Sequence, residues 1–280
     1  HAAPIAVTHV VVDPGVPDHH PPALCGDAAA VQGLNWTSDG DSVYRVAWAG
    51  DPRYLNRDAA RSYHYPNLEG LRAGRGDDNE PISAGWVMSS GQLYVRSETP
   101  PDQHTWHVPA LGTAVAMNGV SFIWIEGFEI RHYGAGDYPK GIDVRDSDWV
   151  VVRNNTIHAT PSPVWARRGS NQLRVEGNTI YQVGVFDWPW AAVKGTDHEN
   201  SAVNLGGGRG AIVRDNVIHG IFNGVGSGSF SDDENRAIAF DVDVYNNRMT
   251  RIGDDGVEPE GACVNNRFWG NTIDRVHNGV

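Results

Sequence analysis

One short pattern returns along the second half of the chain and places an asparagine at the same position each time. An alternating apolar run is followed by Asn, one further residue, and then Ile or Met, with the aligned asparagines at Asn155, Asn178, Asn216, Asn247 and Asn271. Their separations are 23, 38, 31 and 24 residues, so the short spacings set the period and the long ones contain insertions. A period in the twenties is typical of repeat architectures, whose units must stack to bury their apolar faces.

The alternation within each repeat predicts short strands, because apolar residues at every second position line one face of a strand. Asparagine suits the corner between two strands, since it tolerates the left-handed conformation that a sharp turn requires. Its amide can also donate to and accept from the asparagines of the coils above and below. We therefore expect a ladder of asparagines at one corner of the stack.

This pattern resembles the right-handed parallel β-helix, the all-β solenoid fold of pectate lyases, polygalacturonases and alginate epimerases. The resemblance covers roughly residues 112–280, which predicts a β-helix at 111–280 behind an N-terminal capping region at 1–110. Within that region, Gly91-Gln-Leu-Tyr-Val-Arg96 and the Pro-rich link after it resemble the N-terminal caps of such proteins. The alternatives are a leucine-rich repeat, for which no Leu-rich consensus is present, and a β-sandwich, for which hairpin signals between the runs are missing.

The charge balance limits the partners. The formal net charge is −12, with 2 Lys against 20 Arg, and this argues against nucleic acid or an anionic membrane surface. No apolar run approaches the ~20 residues of a membrane span. The fold resemblance and the acidic, Lys-poor composition imply a secreted protein with a polysaccharide substrate. The sequence stops at the start of a new coil, so we expect either further C-terminal coils or a partner at that open end.

In the resembled fold, the outer face of one sheet forms the substrate groove. Alternation predicts that Ile142, Val144, Val203, Leu205 and Val257 point into the core. It leaves an outward-facing set that would lie along one line, with neighbouring coils ~4.8 Å apart: Asp143, Arg145, Asn204, Glu258 and Glu260. Within this set, Asp143, Arg145 and Asn204 are candidates for binding sugar.

The densest cluster of ionisable residues is Asp254, Asp255, Glu258 and Glu260, four carboxylates in seven residues. Such neighbours repel one another unless a cation, a proton or a substrate compensates them. One interpretation is glycoside hydrolysis, in which one carboxyl donates a proton to the leaving oxygen and another activates water. A second is a Ca²⁺ site, which requires several oxygen ligands. A solvated acidic turn is the third. The sequence assigns no metal ligands, and Ca²⁺ is the possible cofactor.

The order Gly253-Asp-Asp-Gly-Val257, with His277-Asn-Gly one coil later, resembles polygalacturonase-type hydrolases, which carry Gly-Asp-Asp followed by Gly-His-Gly. The resemblance implies Asp254 and Asp255 as the acid/base pair, with Glu258 or Glu260 as alternatives. The match is partial. Phe222-Asn-Gly224 occupies the place of the family's Asn-Thr-Asp, and the family's Arg-Ile-Lys does not occur in this chain.

The insertion at residues 185–199 carries the second group of candidates. Trp188 and Trp190 could stack on sugar rings, or pack over the coil beneath them. Lys194 and His198 could supply the base of a lyase, which removes a proton next to a uronate carboxyl, although a plain surface lysine is the simpler interpretation. Three hypotheses follow: a polysaccharide hydrolase, a lyase or uronate epimerase with or without Ca²⁺, and a non-catalytic surface-binding or filament-forming protein.

Overall fold

The computed structural model describes residues 8–11, 22–31, 34–50, 52–228, 238–261 and 263–280. These residues form one α-helix, α1 (Leu68–Ala73), and 3-10 turns at Asp77–Asn79, Pro101–Gln103, Val185–Asp187 and Trp190–Ala192. The strands of the N-terminal part are β1 (Thr8–Val11), β2 (Ala23–Cys25), β3 (Asp27–Val31), β4 (Thr37–Gly40), β5 (Val43–Ala47), β6 (Asn56–Arg57), β7 (Ala60–Arg61), β8 (Tyr63–His64), β9 (Gly85–Ser89), β10 (Gln92–Arg96) and β11 (Trp106–Pro109).

The remaining strands are short and follow one another through the repeats. They are β12 (Thr113–Asn118), β13 (Ile123–Glu126), β14 (Glu129–Arg131), β15 (Lys140–Arg145), β16 (Val151–Arg153), β17 (Thr156–His158), β18 (Ser162–Arg167), β19 (Arg174–Glu176), β20 (Thr179–Tyr181), β21 (Ser201–Gly206), β22 (Gly208–Arg209), β23 (Ile212–Arg214), β24 (Val217–His219), β25 (Asn223–Ser227), β26 (Ala239–Phe240), β27 (Asp243–Tyr245), β28 (Arg248–Asp255), β29 (Val257–Pro259), β30 (Cys263–Val264), β31 (Arg267–Trp269) and β32 (Thr272–Asn278).

Three long parallel sheets form the walls of a helix of strands. One sheet has the order β12-β15-β18-β21-β25-β29 and is called the groove sheet below. The second has the order β1-β13-β16-β19-β23-β27-β31, and the third β2-β14-β17-β20-β24-β28-β32. Each strand thus pairs with the equivalent strand of the next coil. The prediction of a right-handed parallel β-helix is confirmed.

The core lies inside this helix and is built from columns of aliphatic side chains. Ile142, Val164, Val203, Val225 and Val257 follow one another in register on successive strands of the groove sheet. All five are at most 1% exposed. The predicted inward positions, Val144 and Leu205 included, are therefore confirmed, and burial of these stacked aliphatic columns is the main favourable term for folding.

The asparagine ladder is present and continuous. The side-chain amide of Asn178 donates to Asn216 Oδ1 at 3.0 Å and to the Val152 carbonyl at 2.9 Å. Its own Oδ1 accepts from the side chain and the backbone N–H of Asn155, at 3.1 and 3.0 Å. The same contacts link Asn216 to Asn247 and Asn247 to Asn271. Each buried amide is therefore satisfied by the next coil.

The conformational part of the asparagine prediction is wrong by one residue. The left-handed positions are those just before the ladder, among them Asn154, Asp215 and Asn246, with φ of 54, 56 and 55°. The ladder residue cannot make the turn itself, because its side chain has to point along the stack to reach its neighbour. The preceding residue makes the turn instead, and there Asn, Asp or Gly meets the requirement for positive φ.

The N-terminal part does more than precede the helix. β1 pairs in parallel with β13, and β2 with β14. Both strands therefore belong to sheets of the β-helix, although they precede residue 111 in the sequence. The stacking therefore begins before the expected division at residue 110. Two further sheets, β4-β5-β10-β9-β8 and β3-β11-β6-β7, form a cap with its own core around Trp86 and Trp106, which are buried. No helix of the described residues is long and apolar enough to cross a membrane.

The insertion at residues 185–199 fastens this cap to the helix. Tyr63 of the cap donates its hydroxyl to the Ala192 carbonyl at 3.0 Å. The His198 ring packs on Tyr63 with centroids 4.3 Å apart, and its Nε2 lies 2.9 Å from the His64 carbonyl oxygen. The insertion thus has a structural role that its sequence did not indicate.

Substitution of Asn178 by Ala tests the ladder. The change removes bonds to Val152, Asn155 and Asn216 while their partner groups stay buried, and each buried group left unsatisfied costs about 1–3 kcal/mol. We expect a loss of about 3 kcal/mol in the free energy of unfolding, measured by urea denaturation. Asn154→Gly is the matched control. Asn154 is exposed and has positive φ, so this variant should change stability by less than about 1 kcal/mol.

Candidate active site

The register of the groove sheet aligns the outward-facing residues in columns. Asp143, Trp165, Asn204, Gly226 and Glu258 occupy equivalent positions on five successive strands. At about 4.8 Å per strand, the column is about 19 Å long. Arg145 and Arg167 lie two residues further along their strands, in a parallel column. Residues far apart in sequence therefore share one surface. Its Glu258 end is acidic, and its other end is called the basic end because Arg145 and Arg167 surround Asp143 there.

The acidic end is held together by a lysine from the insertion. Lys194 Nζ lies 2.8 Å from Glu199 Oε1, 3.0 Å from Asp254 Oδ2 and 3.6 Å from Glu258 Oε1. Asp255 and Glu260 are the other carboxylates of this end. One lysine thus compensates part of a cluster whose members would otherwise repel one another.

Asn223 orients two residues of the cluster. The backbone N–H of Asp255 donates to Asn223 Oδ1 at 3.3 Å. Because that contact requires the oxygen there, the other end of the amide must be the donor, and Asn223 Nδ2 donates to Glu258 Oε2 at 2.9 Å. Asn223 is 2% exposed, so packing also fixes this orientation.

Two of the carboxyls have raised proton affinity. Burial, a hydrogen bond with Glu260 and the charges of Glu260 and Asp255 raise the pKa of Glu258 to about 7, against the opposing charge of Lys194. Burial and the charge of Asp254 raise the pKa of Asp255 above its ordinary value. The pKa of Glu258 therefore lies close to neutral pH, which is unusual for a glutamate.

These groups line a cavity of about 290 Å³ on the outer surface of the helix. Its wall includes Lys194, Asp255, Glu258 and Glu260, together with the apolar Val257 and Pro259. The cavity gives a ligand direct access to the carboxyl of raised pKa. Ionisable groups with perturbed pKa values in a cleft are candidates for acid–base chemistry.

Asp254 does not lie in this cavity wall. It is 2% exposed, and its carboxylate forms the 3.0 Å ion pair with Lys194. At the end of β28, burial alternates, so that Asp254 is buried and Asp255 is partly exposed. Its burial and its ion pair with Lys194 disfavour the predicted role of Asp254 as half of the acid/base pair, which stays a prediction.

Two further residues of the insertion have surroundings that differ from their predicted roles. His198 is 1% exposed, and burial, followed by the charge of Arg61, lowers its pKa to about 3. Trp188 packs edge-on against Tyr63 and His198, with centroids 5.2 and 5.3 Å apart. Both side chains belong to the contact between cap and helix, which disfavours their predicted assignment to substrate binding without testing it. Trp190 is 41% exposed and stacks on His277 at 5.6 Å.

Lys194 is also unsuited to the role of a base. Partial burial acts to lower its pKa, but the hydrogen bonds to Glu199 and Asp254 outweigh this effect and raise the pKa above the ordinary value. A base has to be deprotonated before it can accept a proton. Lys194 is instead a fixed positive charge beside Glu258.

The basic end of the column is an ion cluster around a buried aspartate. Asp143 is 4% exposed and accepts from Arg145 at 2.8 Å, while Arg167 Nε lies 3.4 Å from its carboxylate. Lys140 lies over the Trp165 ring at 4.7 Å, and burial lowers its pKa to about 8. The carboxylate of Asp143 is thus paired with the two arginines, which disfavours a direct role in sugar binding; that role stays a prediction. Arg145 and Asn204 remain partly exposed on the groove.

A second cavity, of about 540 Å³, lies where the cap, the loop after β14 and the insertion meet the groove sheet, and is called the cap cavity below. Its lining residues are Arg53, Arg61, Gly136, Asp137, Tyr138, Pro139, Pro161, Ser162, Trp165, Thr196, Asp197, Glu199 and Asn200. Glu199 belongs to this wall and also binds Lys194, so the two cavities meet at that ion pair.

Sequence reasoning did not single out Asn223, Trp165 or Glu199. Trp165 and Asn223 lie on groove strands, so extending the column through every coil would have found them. Glu199 is the last residue of the insertion, and no periodic signal points to it. Within the described ranges, no group of three or more His, Cys, Asp and Glu side chains is arranged to hold a metal ion. The possible Ca²⁺ site stays a prediction.

The architecture defines the chain as a parallel β-helix protein with an acidic cluster on one outer face. The family model described as "Right handed beta helix region" matches residues 113–280, and the chain belongs to this family. A search of curated proteins found no match.

Several solved structures are similar to the chain. The structure of XylC with xylose has 12% identity and a TM-score of 0.49, and the match covers 90% of this chain but 57% of XylC. An alginate lyase from Paenibacillus sp. str. FPU-7 has 12% identity and a TM-score of 0.36, with 60% and 72% covered. A glycoside hydrolase has 8% identity and a TM-score of 0.34, with 92% and 82% covered. At these values the likeness carries no information about activity.

Two substitutions should move the pKa of Glu258 in opposite directions. Glu260→Ala removes a hydrogen-bond partner and a negative charge, so the pKa of Glu258 should fall toward that of an ordinary glutamate. Lys194→Met removes the opposing positive charge, so the pKa should rise above about 7. The measurement is a ¹³C NMR titration of labelled glutamate side chains. Equal pKa values in both variants and the wild type would contradict the electrostatic description of the cluster.

Proposed function

We propose that this protein hydrolyses glycosidic bonds of a polysaccharide, with Glu258 as the general acid and Asp255 as its partner carboxylate. The observation that carries the proposal is the pKa of Glu258, raised to about 7 in a cavity that is open to a ligand. A general acid works best when its pKa lies near the working pH. Glycoside hydrolysis requires this acid together with a second carboxylate.

The two carboxyls have different tasks. Glu258 donates its proton to the oxygen of the leaving sugar as the glycosidic bond breaks. Asp255, which lines the same cavity, acts in its ionised form on the sugar or on the attacking water. The sequence predicts Asp255 as half of the acid/base pair and Glu258 as an alternative member. We keep Asp255 and replace Asp254 with Glu258, which becomes the acid.

Asn223 and Lys194 prepare Glu258 for this task. Asn223 donates to Oε2 of Glu258, so the acidic proton is carried on Oε1. Lys194 lies 3.6 Å from Oε1 and limits how far the pKa rises. After proton donation, the same positive charge stabilises the glutamate anion.

The lyase or epimerase alternative has less support. Its base would be Lys194 or His198. The first has a raised pKa and the second is buried, so neither is placed to remove a proton from a uronate. The non-catalytic alternative is separated from the hydrolase by experiment.

Glu258→Gln tests the assignment of the acid. The substitution keeps the shape and the bond from Asn223 but removes the transferable proton, so kcat should fall about 10²–10⁴-fold. The assay follows reducing ends released from a polysaccharide on which the wild type is active. Glu69→Gln, on the surface of α1, is the matched control and should retain full activity. Wild-type activity in Glu258→Gln would refute the assignment.

The pH profile should follow the two raised pKa values. Glu258 has to be protonated, so kcat/KM should fall as the pH rises through about 7. Asp255 has to be ionised, so kcat/KM should also fall as the pH drops through its raised pKa. kcat/KM is measured between about pH 3 and pH 9, a range chosen to include the titration of both carboxyls, with a check of protein stability at each pH. An activity that keeps increasing well above pH 7 would contradict Glu258 as the acid.

A further inference from the structure

The cap cavity is close to the acid–base pair but takes no part in its chemistry. We infer that it is a binding subsite for an uncharged sugar unit of the substrate, held by Arg61 and Tyr138. This inference rests on the proposed function for its connection to Glu258. It adds a substrate class, since it predicts a neutral sugar at this position and excludes a uronate.

Arg61 is the observation that points to a ligand. Its side chain lines the cap cavity although the residue is only 7% exposed. The guanidinium lies over the Tyr54 and Trp188 rings, at 4.6 and 5.6 Å from their centroids. Its one hydrogen bond within the described residues is a long one, 3.5 Å to the His198 carbonyl. A guanidinium has five N–H donors, so a buried one with so few acceptors favours a ligand that brings oxygen atoms.

The charges around the cavity decide which oxygens these are. Two arginines and three carboxylates line it, and each carboxylate already has a basic neighbour. The neighbouring pairs are Asp137 with Arg53 at 3.7 Å, Glu199 with Lys194 at 2.8 Å and Asp197 with His64 at 3.3 Å. The two lining arginines are outnumbered by these carboxylates, and Asp197 also interacts electrostatically with Arg61, so the lining has no surplus of positive charge to neutralise a ligand carboxylate. Hydroxyl and ring oxygens can accept from Arg61 without adding a negative charge beside three carboxylates.

The remaining lining suits a sugar. Trp165 and Tyr138 give apolar surface, Tyr138 being 75% exposed. Ser162 donates its hydroxyl to Asn200 Oδ1 at 3.0 Å, and both residues also line the cavity. A pocket with apolar walls and a few fixed polar groups is the usual form of a small-ligand site, and about 540 Å³ lies within the usual range.

The cavity and the reaction centre lie along the same column of the groove sheet. Trp165 and Glu258 belong to the same outward column, three strands apart, which is about 14 Å. A substrate that uses both places has to reach over this distance. The protein should therefore prefer oligosaccharides to a single sugar with a small leaving group.

The test is the binding of the full chain to a glycan array that carries neutral and uronate-containing oligosaccharides. We expect binding to neutral glycans, and about tenfold weaker binding by Tyr138→Ala, a loss of about 1.4 kcal/mol. Trp269→Ala is the matched control, because Trp269 is an exposed aromatic residue on another sheet and should leave binding unchanged. Arg61→Gln, checked for folding by circular dichroism, should also lose binding to neutral glycans.

Preferential binding of uronate glycans, no binding of any neutral glycan, or equal binding by wild type and Tyr138→Ala would each overturn the subsite. The proposed hydrolase can fail separately. Neutral binding that depends on Tyr138, without any hydrolysis, would count against the acid–base assignment and leave the subsite in place. Hydrolysis of long substrates that is unchanged in Tyr138→Ala and Arg61→Gln would count against the subsite and leave the acid–base assignment in place.

Discussion

The in-register stacking of coils is the constraint on which the rest of the molecule depends. Every strand bonds to its equivalent in the next coil, and the amide of Asn178 or Asn216 repeats the same contacts at the corner. A shift by one residue in any coil would turn its buried column outward and break the ladder. Because the register is held in this way, outward side chains also fall into columns. The surface that joins Asp143 to Glu258 is thus a consequence of how the core is packed.

The insertion connects this regular scaffold to the irregular cap and to the acidic cluster. Through His198 and Trp188 it packs against the cap, and through Lys194 it reaches Asp254 and Glu258. The positive charge that moderates the pKa of Glu258 is therefore positioned by the same segment that fastens the cap to the helix. A substitution that disturbs the cap should therefore also change the pKa of Glu258, although the cap and the acidic cluster lie far apart in the sequence.

The repeat was sufficient to predict the fold and the inward columns, because strand alternation and stacking are local rules. The predicted outward residues fall into two parallel columns and not into one line, because Arg145 and Glu260 lie two residues further along the chain than Asp143 and Glu258. The repeat could not predict what covers those residues. Asp254 and Asp255 are adjacent and chemically alike, yet Asp254 is buried in an ion pair with Lys194 and Asp255 faces the cavity. The sequence offers His198 as a candidate base, whereas in the structure its ring is buried against the cap. Such outcomes depend on non-local contacts between the cap, the insertion and the helix, which have no periodic signal in the sequence.

The most direct test is an activity screen of the purified chain against neutral and acidic polysaccharides, with and without a Ca²⁺ chelator. Reducing ends and the ultraviolet absorbance of unsaturated products should be read in the same samples. A hydrolase that works through Glu258 and Asp255 should release reducing ends from a neutral polysaccharide without any rise in absorbance. Reducing ends accompanied by matching absorbance on uronate polymers would mean elimination, and would contradict the acid–base mechanism argued for this site.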